Sequence, residues 1–205
     1  MSSDELFFQN VSDLLRFRTA IGRFDALNAE DPNREVVNGI SIPRELLNAQ
    51  RLSGWVMRLA PDASESLRLA SRCQHLCRWM IPRTSYEMTR AGYHQWRNEL
   101  KRFHAAKSAE VLHATGYVEE IVARVVELNL KKSFPADSES RVLEDALCLV
   151  FLQFQFRDLA AKTDDEKVIN ALQKSWKKMT PLGHEHALTL EYAPHERALL
   201  DRALD

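Results

Sequence analysis

Arginine and histidine crowd one stretch of this chain. Residues 68–104 read RLASRCQHLCRWMIPRTSYEMTRAGYHQWRNELKRFH. Eight basic side chains (Arg68, Arg72, Arg78, Arg83, Arg90, Arg97, Lys101 and Arg102) face two acids, Glu87 and Glu99. His75, His94 and His104 lie among them, with Trp79, Tyr86, Tyr93 and Trp96. A guanidinium fork matches the oxygens of a phosphate, and an aromatic face stacks on a base or sugar. The chemistry to expect is recognition of an anionic small molecule, a phosphate or a nucleotide. The formal charge of the whole chain is −1, so the positive charge is local. That disfavours a generic nucleic-acid coat, which needs a broadly basic surface.

A second feature is chemical by contrast. The stretch VLEDALCLVFLQFQF at 142–156 is apolar nearly all round, yet carries the adjacent acids Glu144 and Asp145. An ionised carboxylate taken from water costs several kcal/mol unless it is paired or bound to a metal. Either these acids lie on exposed turns and stay solvated, or at least Asp145 points inward to a partner. The arginines and histidines of 68–104 are the available partners.

These residues need elements to position them. Apolar spacing predicts helices at 11–27, 44–59 after Pro43, 64–80 after PDASE, 91–114 ending near Gly116, 118–130, 138–161 and 164–176. Loops are expected at 28–42, which holds Asp-Pro and Asn-Gly, at 81–90 after Pro82, and at 134–137. After Pro181-Leu182-Gly183 the tail is read as a short helix or a partly ordered segment. No period-2 alternation of any length is present, and glycine (6) and proline (7) are scarce. The expectation is one all-α domain, a helical bundle over 1–205 with its core at about 11–180 and a tail at 181–205. On the 64–80 helix, Arg68, Arg72, His75 and Trp79 share a face; on 91–114 the same holds for Arg90, Tyr93, Arg97, Lys101 and His104. Antiparallel packing would bring both basic stripes to one groove.

Forty-five percent apolar residues suffice for a core. The odd cysteine count, three, offers no disulfide framework and suits a reduced, cytoplasmic protein. Cys73 and Cys77, four apart, read as small core residues or as two contacts to one metal. The start, MSSDELFF, is acidic and lacks the run a signal peptide needs. The apolar run at 146–151 is too short to span a bilayer, so no membrane partner is expected.

At PNREVVNGISIPRELLNAQR, ASRCQHLCRWMIPR, RAGYHQWRNELKRFHA and LEDALCLVFL, the chain resembles an uncharacterised family of all-α proteins of bacteria and fungi. Some of its members carry the label glutamyl-tRNA synthetase. Neither strand–helix alternation nor a nucleotide motif of the synthetase kind supports that label here. The chain also resembles, more distantly, the HD-domain metal-dependent phosphohydrolases. Those all-α enzymes gather a His, a His-Asp pair and a later Asp around a divalent metal. His75, His104 and Asp145 stand in that order, with Ala105 where the pair's Asp belongs. This resemblance implies a hydrolase of a phosphorylated small molecule or nucleotide. His75, His104 and Asp145 would be its catalytic and metal-holding residues. Arg72, Arg78, Arg83, Arg90 and Arg97 would grip the anion beside Trp79, Tyr93 and Glu144. The alternative is a non-catalytic protein that binds an anion, nucleotide or partner in the same groove, with Glu144 and Asp145 as internal ion-pair partners. An acidic N-terminal third facing the groove of a second copy leaves a homodimer open.

Overall fold

Six of the helices begin where the sequence supplies a side-chain oxygen to cap them. The computed structural model describes residues 6–205; part of the acidic start read against a signal peptide lies outside them. Helix α1 (Leu14–Ala29) is capped by Asp13, which accepts the Arg16 N–H. Helix α3 (Glu65–Cys73) is capped by Ser64, and α4 (Arg90–Ala114) by Thr89. The same device opens α6 (Ser138–Val150) at Asp137, α8 (Asp165–Trp176) at Asp164 and α9 (Pro181–Leu188) at Thr180. Each cap satisfies one backbone donor that the first helical turn leaves orphaned. Helices α2 (Arg44–Leu59), α5 (Glu119–Leu130), α7 (Phe156–Lys162) and α10 (Pro194–Leu204) complete an all-α fold.

The one sheet among the described residues is a two-stranded hairpin, β1 (Arg34–Val37) with β2 (Ile40–Pro43). It occupies the expected 28–42 loop. Asn38 and Gly39 both take positive φ, 51° and 78°, as a type I′ turn requires and as Asn-Gly favours. The strands have only four residues each, too few for alternation to register against helical neighbours.

The chain forms two compact units, one ending at Phe134 and the other spanning Pro135–Asp205. In unit 1 the buried side chains include Phe17, Phe24, Met57, Leu67, Leu69, Leu76, Leu112 and Leu128. They recur at helical spacing because each helix of this unit has one apolar stripe to hide. In unit 2, Leu143, Leu149, Phe156, Val168, Leu172, Leu199 and Leu200 are buried. The expected 138–161 helix holds one π-helical turn, Phe151–Gln155, between α6 and α7. The 181–205 segment is two helices. Pro194 opens α10 at its first position, and Glu196 accepts the Ala193 N–H.

The expected 64–80 helix ends early, and this matters for the site. Helix α3 stops at Cys73. Single i→i+3 bonds then follow, from Leu76 N–H to Cys73, Arg78 N–H to His75 and Met80 N–H to Cys77. Cys77 is left-handed at φ 56°, a state that costs a non-glycine residue about 1 kcal/mol. The Asn28 side chain accepts the buried Cys77 N–H at 3.2 Å, which holds the turn. The shared face for Arg68, Arg72, His75 and Trp79 is therefore lost. The chain leaves the α-helix after Cys73, whereas the sequence spacing assumes a continuous helix.

Candidate functional site: a basic pocket in unit 1

Three elements of unit 1 meet at a pocket lined by Gln74, His75, Arg78, Arg97, Leu100, Lys101, His104 and Lys131. Gln74, His75 and Arg78 come from the turn after α3. Arg97, Leu100, Lys101 and His104 come from one face of α4. Lys131 caps α5 in the left-handed conformation, φ 56°. The cavity volume is about 20 Å³, against the roughly 10–15 Å³ that one water needs. It encloses one small group, not a nucleotide.

The histidines are held in defined states. His104 is 3% exposed, and its Nδ1 lies 2.8 Å from the Leu76 carbonyl oxygen. A carbonyl only accepts, so Nδ1 carries the hydrogen. Burial pushes the His104 pKa down to about 4; the Leu76 bond opposes this, and Arg78 and Arg97 add to it. The ring is thus neutral near pH 7, and Nε2 presents a lone pair. That atom is buried without a hydrogen-bond partner. His75 packs beside it, ring centroids 5.8 Å apart. Its pKa is pushed well down by burial, then by Arg78, His104, Arg97 and Lys131.

A polar relay behind the wall aims Gln74. Ser108 donates to the His104 carbonyl at 2.6 Å and accepts from Asn129 Nδ2 at 3.2 Å. The Asn129 carbonyl accepts from Gln74 Nε2 at 3.4 Å. The amide orientation of Gln74 follows, since only its nitrogen can donate to a carbonyl. Its Oε1, like His104 Nε2, is buried without a partner.

Arg78 lies over the Trp96 ring, 5.0 Å from its centroid, and the Trp96 indole donates to the Ile81 carbonyl at 2.8 Å. Burial lowers the Arg78 pKa, while nearby Glu45 raises it. Glu45 itself is pushed up to about 7 by burial, against the pull of Arg78.

Four of the expected site residues therefore line one pocket: His75, Arg78, Arg97 and His104. The other expected site residues fall elsewhere. The Arg72 fork is spent on Asp25, at 2.6 and 2.7 Å. Arg83 donates to the carbonyls of Tyr86, Glu87 and Thr89 and ties down the loop before α4. Arg68 is buried and donates to the carbonyls of Ala63, Phe7 and Gln9. Arg90 is exposed at the start of α4, Tyr93 is 45% exposed, and Trp79 sits half-buried in the turn without lining the pocket. In unit 2, Glu144 pairs with Lys178 at 3.2 Å. Asp145 accepts the Thr180 N–H at 2.8 Å and the Thr180 hydroxyl. Of the lining residues outside the expected set, Lys101 was visible on the α4 stripe. Gln74 and Lys131 carried no sequence signal, because only the turn and the α5 cap bring them in.

A divalent metal does not fit this pocket. His75 and His104 are neutral and close, but their charged neighbours are Arg78, Arg97, Lys101 and Lys131. Cations at this range repel an ion that two imidazoles alone would have to hold. Among the described residues no group of three or more His, Cys, Asp or Glu is arranged to hold a metal ion. Nor is any helix among them long and apolar enough to cross a membrane. The arrangement suits a negatively charged group: four cationic side chains supply charge, and the partly enclosed walls reduce its screening.

No curated protein and no solved structure matches the chain. A family model does match, over residues 18–200, and the chain belongs to that family, described as Domain of unknown function (DUF4202).

Proposed function

We propose that this protein binds a small anion in the pocket of unit 1, and that Arg78, Arg97, Lys101 and Lys131 supply the charge that holds it. One observation carries the reading: four cationic side chains from three separate elements converge on one half-enclosed cavity without an acid in its lining. Gathering like charges in a folded chain is unfavourable, by about 1 kcal/mol for a pair 4 Å apart even at the full screening of bulk water. An anionic ligand offsets that repulsion. Titration calorimetry of the full chain with inorganic phosphate tests it. Saturable binding that Arg97→Gln weakens about tenfold or more supports the reading. Absence of binding and of thermal protection by phosphate, sulfate and a nucleotide panel would sink it.

A second reading is favoured by His104 alone. A neutral imidazole whose Nδ1–H is fixed on a carbonyl offers Nε2 as a general base. Water activated there, beside an arginine-bound phosphoryl group, would make the protein a metal-free phosphoester hydrolase. Release of phosphate from a panel of phosphoesters in the presence of chelator, abolished by His104→Gln, distinguishes catalysis from binding.

A further inference from the structure

The pocket is not uniformly positive. Two acceptor atoms, His104 Nε2 and Gln74 Oε1, are buried in its wall without a partner. Both residues are at least nine-tenths buried, His104 at 3% and Gln74 at 4% exposure. Each is aimed by its other end, His104 by the Leu76 carbonyl and Gln74 by the Asn129 carbonyl. Neither atom can donate in these states. A ligand that brings only negative oxygens would meet two lone pairs head-on. A buried acceptor left without a donor is destabilising, because it has given up water and gained nothing in return.

We propose that the pocket selects an oxyanion that still carries a proton, inorganic phosphate, over fully deprotonated oxyanions. This rests on the anion-binding reading above and names its ligand. In such a complex the unprotonated oxygens face Arg78, Arg97, Lys101 and Lys131. The P–OH group donates to His104 Nε2 or Gln74 Oε1. Monohydrogen phosphate can satisfy one of these acceptors and dihydrogen phosphate both. Sulfate keeps no proton at neutral pH, and neither does the phosphoryl group of an alkyl phosphate above neutrality. The cavity volume of about 20 Å³ agrees with one tetrahedral group held at its mouth. A water could donate to both acceptors, but it carries no negative charge to match the cationic lining of Arg78, Arg97, Lys101 and Lys131.

The groups facing His104 are Leu76 by its carbonyl, His75 by its ring, and Arg78 and Arg97 by charge. Burial, with the nearby cations adding to it, keeps the imidazole unprotonated, so it remains an acceptor through the range in which phosphate keeps a proton.

The test is calorimetric, on the full chain at about pH 8, with phosphate, arsenate, sulfate, selenate and methyl phosphate. Phosphate and arsenate keep one proton there; the other three keep none. The expected result is that phosphate and arsenate bind at least roughly tenfold tighter than the others. Gln74→Leu and His104→Leu should each narrow that ratio toward one. Arg97→Gln should weaken all five anions and leave the ratio in place. The comparison of five anions on the unaltered protein needs no variant to fold. If sulfate binds as tightly as phosphate, the proton-selective reading is overturned while the anion-binding reading stands. If none binds, both are overturned. If methyl phosphate matches phosphate and sulfate does not, the ligand is the end of a phosphomonoester and the acceptors do not read its proton.

Discussion

Two regions of this chain bury polar side chains in apolar surroundings, and they close them in opposite ways. In unit 2, Asp145 is 2% exposed, and both of its oxygens are taken by Thr180, at the start of α9. Glu144 beside it is paired with Lys178. In unit 1, His104 and Gln74 are buried just as deeply, yet each leaves one acceptor without a donor. The first arrangement is complete in itself. Its carboxylate caps the N-terminus of a helix, where a negative charge also favours the macrodipole. The second is incomplete and faces a cavity. A buried polar group points to a ligand when the chain itself does not satisfy it.

The comparison breaks most visibly at Asp145. Asp145→Ala removes the acceptor for two half-buried Thr180 donors and should cost about 3 kcal/mol, read as a lowered thermal or urea midpoint, with phosphate affinity unchanged. Gly183→Ala probes the same contact from the other side, because a Cβ there would come 2.7 Å from the Asp145 carboxyl carbon. It should cost about 1–3 kcal/mol by overpacking.

Acid titration sharpens the unit 1 side. Folded His104 refuses a proton until about pH 4, while the unfolded residue accepts one near 6.5. Its contribution to stability is therefore complete above about pH 6.5 and is lost as pH falls toward 4, by on the order of 3 kcal/mol. His75 shifts in the same direction. Glu45 acts oppositely. Folded Glu45 keeps its proton to about pH 7, so its contribution is lost as pH rises from about 4.5 to 7. Urea midpoints measured from about pH 4 to 8 should show a shallow middle where the slopes oppose. His104→Leu should flatten the acid limb, and Glu45→Gln should remove the decline toward pH 7.

Smaller effects separate closed from open within unit 1 itself. Lys131→Gly should stabilise by up to about 1 kcal/mol, since glycine takes the left-handed cap freely. It should also weaken phosphate binding by removing a pocket cation. Stability and binding moving together would contradict this. Arg72→Lys should cost about 1 kcal/mol through the lost fork on Asp25 and leave phosphate affinity as it is. A drop in affinity would return Arg72 to the site.

Much of the fold was legible in the sequence. The bounds of α2 and the reach of α4 follow from apolar spacing and caps, because both helices run unbroken between a proline or threonine start and an evident stop. The hairpin was half legible: Asn38-Gly39 marked a turn, but four-residue strands carry too little pattern. The site was half legible too. The α4 stripe of Arg97, Lys101 and His104 survives intact because α4 is one continuous helix. The α3 stripe does not, because Cys77 turns left-handed on a hydrogen bond from its own N–H to Asn28, which lies 49 residues earlier.

The residues alone reveal that this chain is helical, where most helices run, and that its positive charge is concentrated in one stretch. Those properties depend on neighbours within a few turns, and composition and periodicity record them. Which of those charges meet at the pocket is set by contacts between residues far apart in the chain. Asp25 takes Arg72, backbone carbonyls take Arg68 and Arg83, and Thr180 takes Asp145. Lys131 and Gln74 enter the pocket from a helix cap and a turn that no local pattern marks. Whether a polar group is answered depends on partners distant in sequence, and only folding brings them within hydrogen-bond reach.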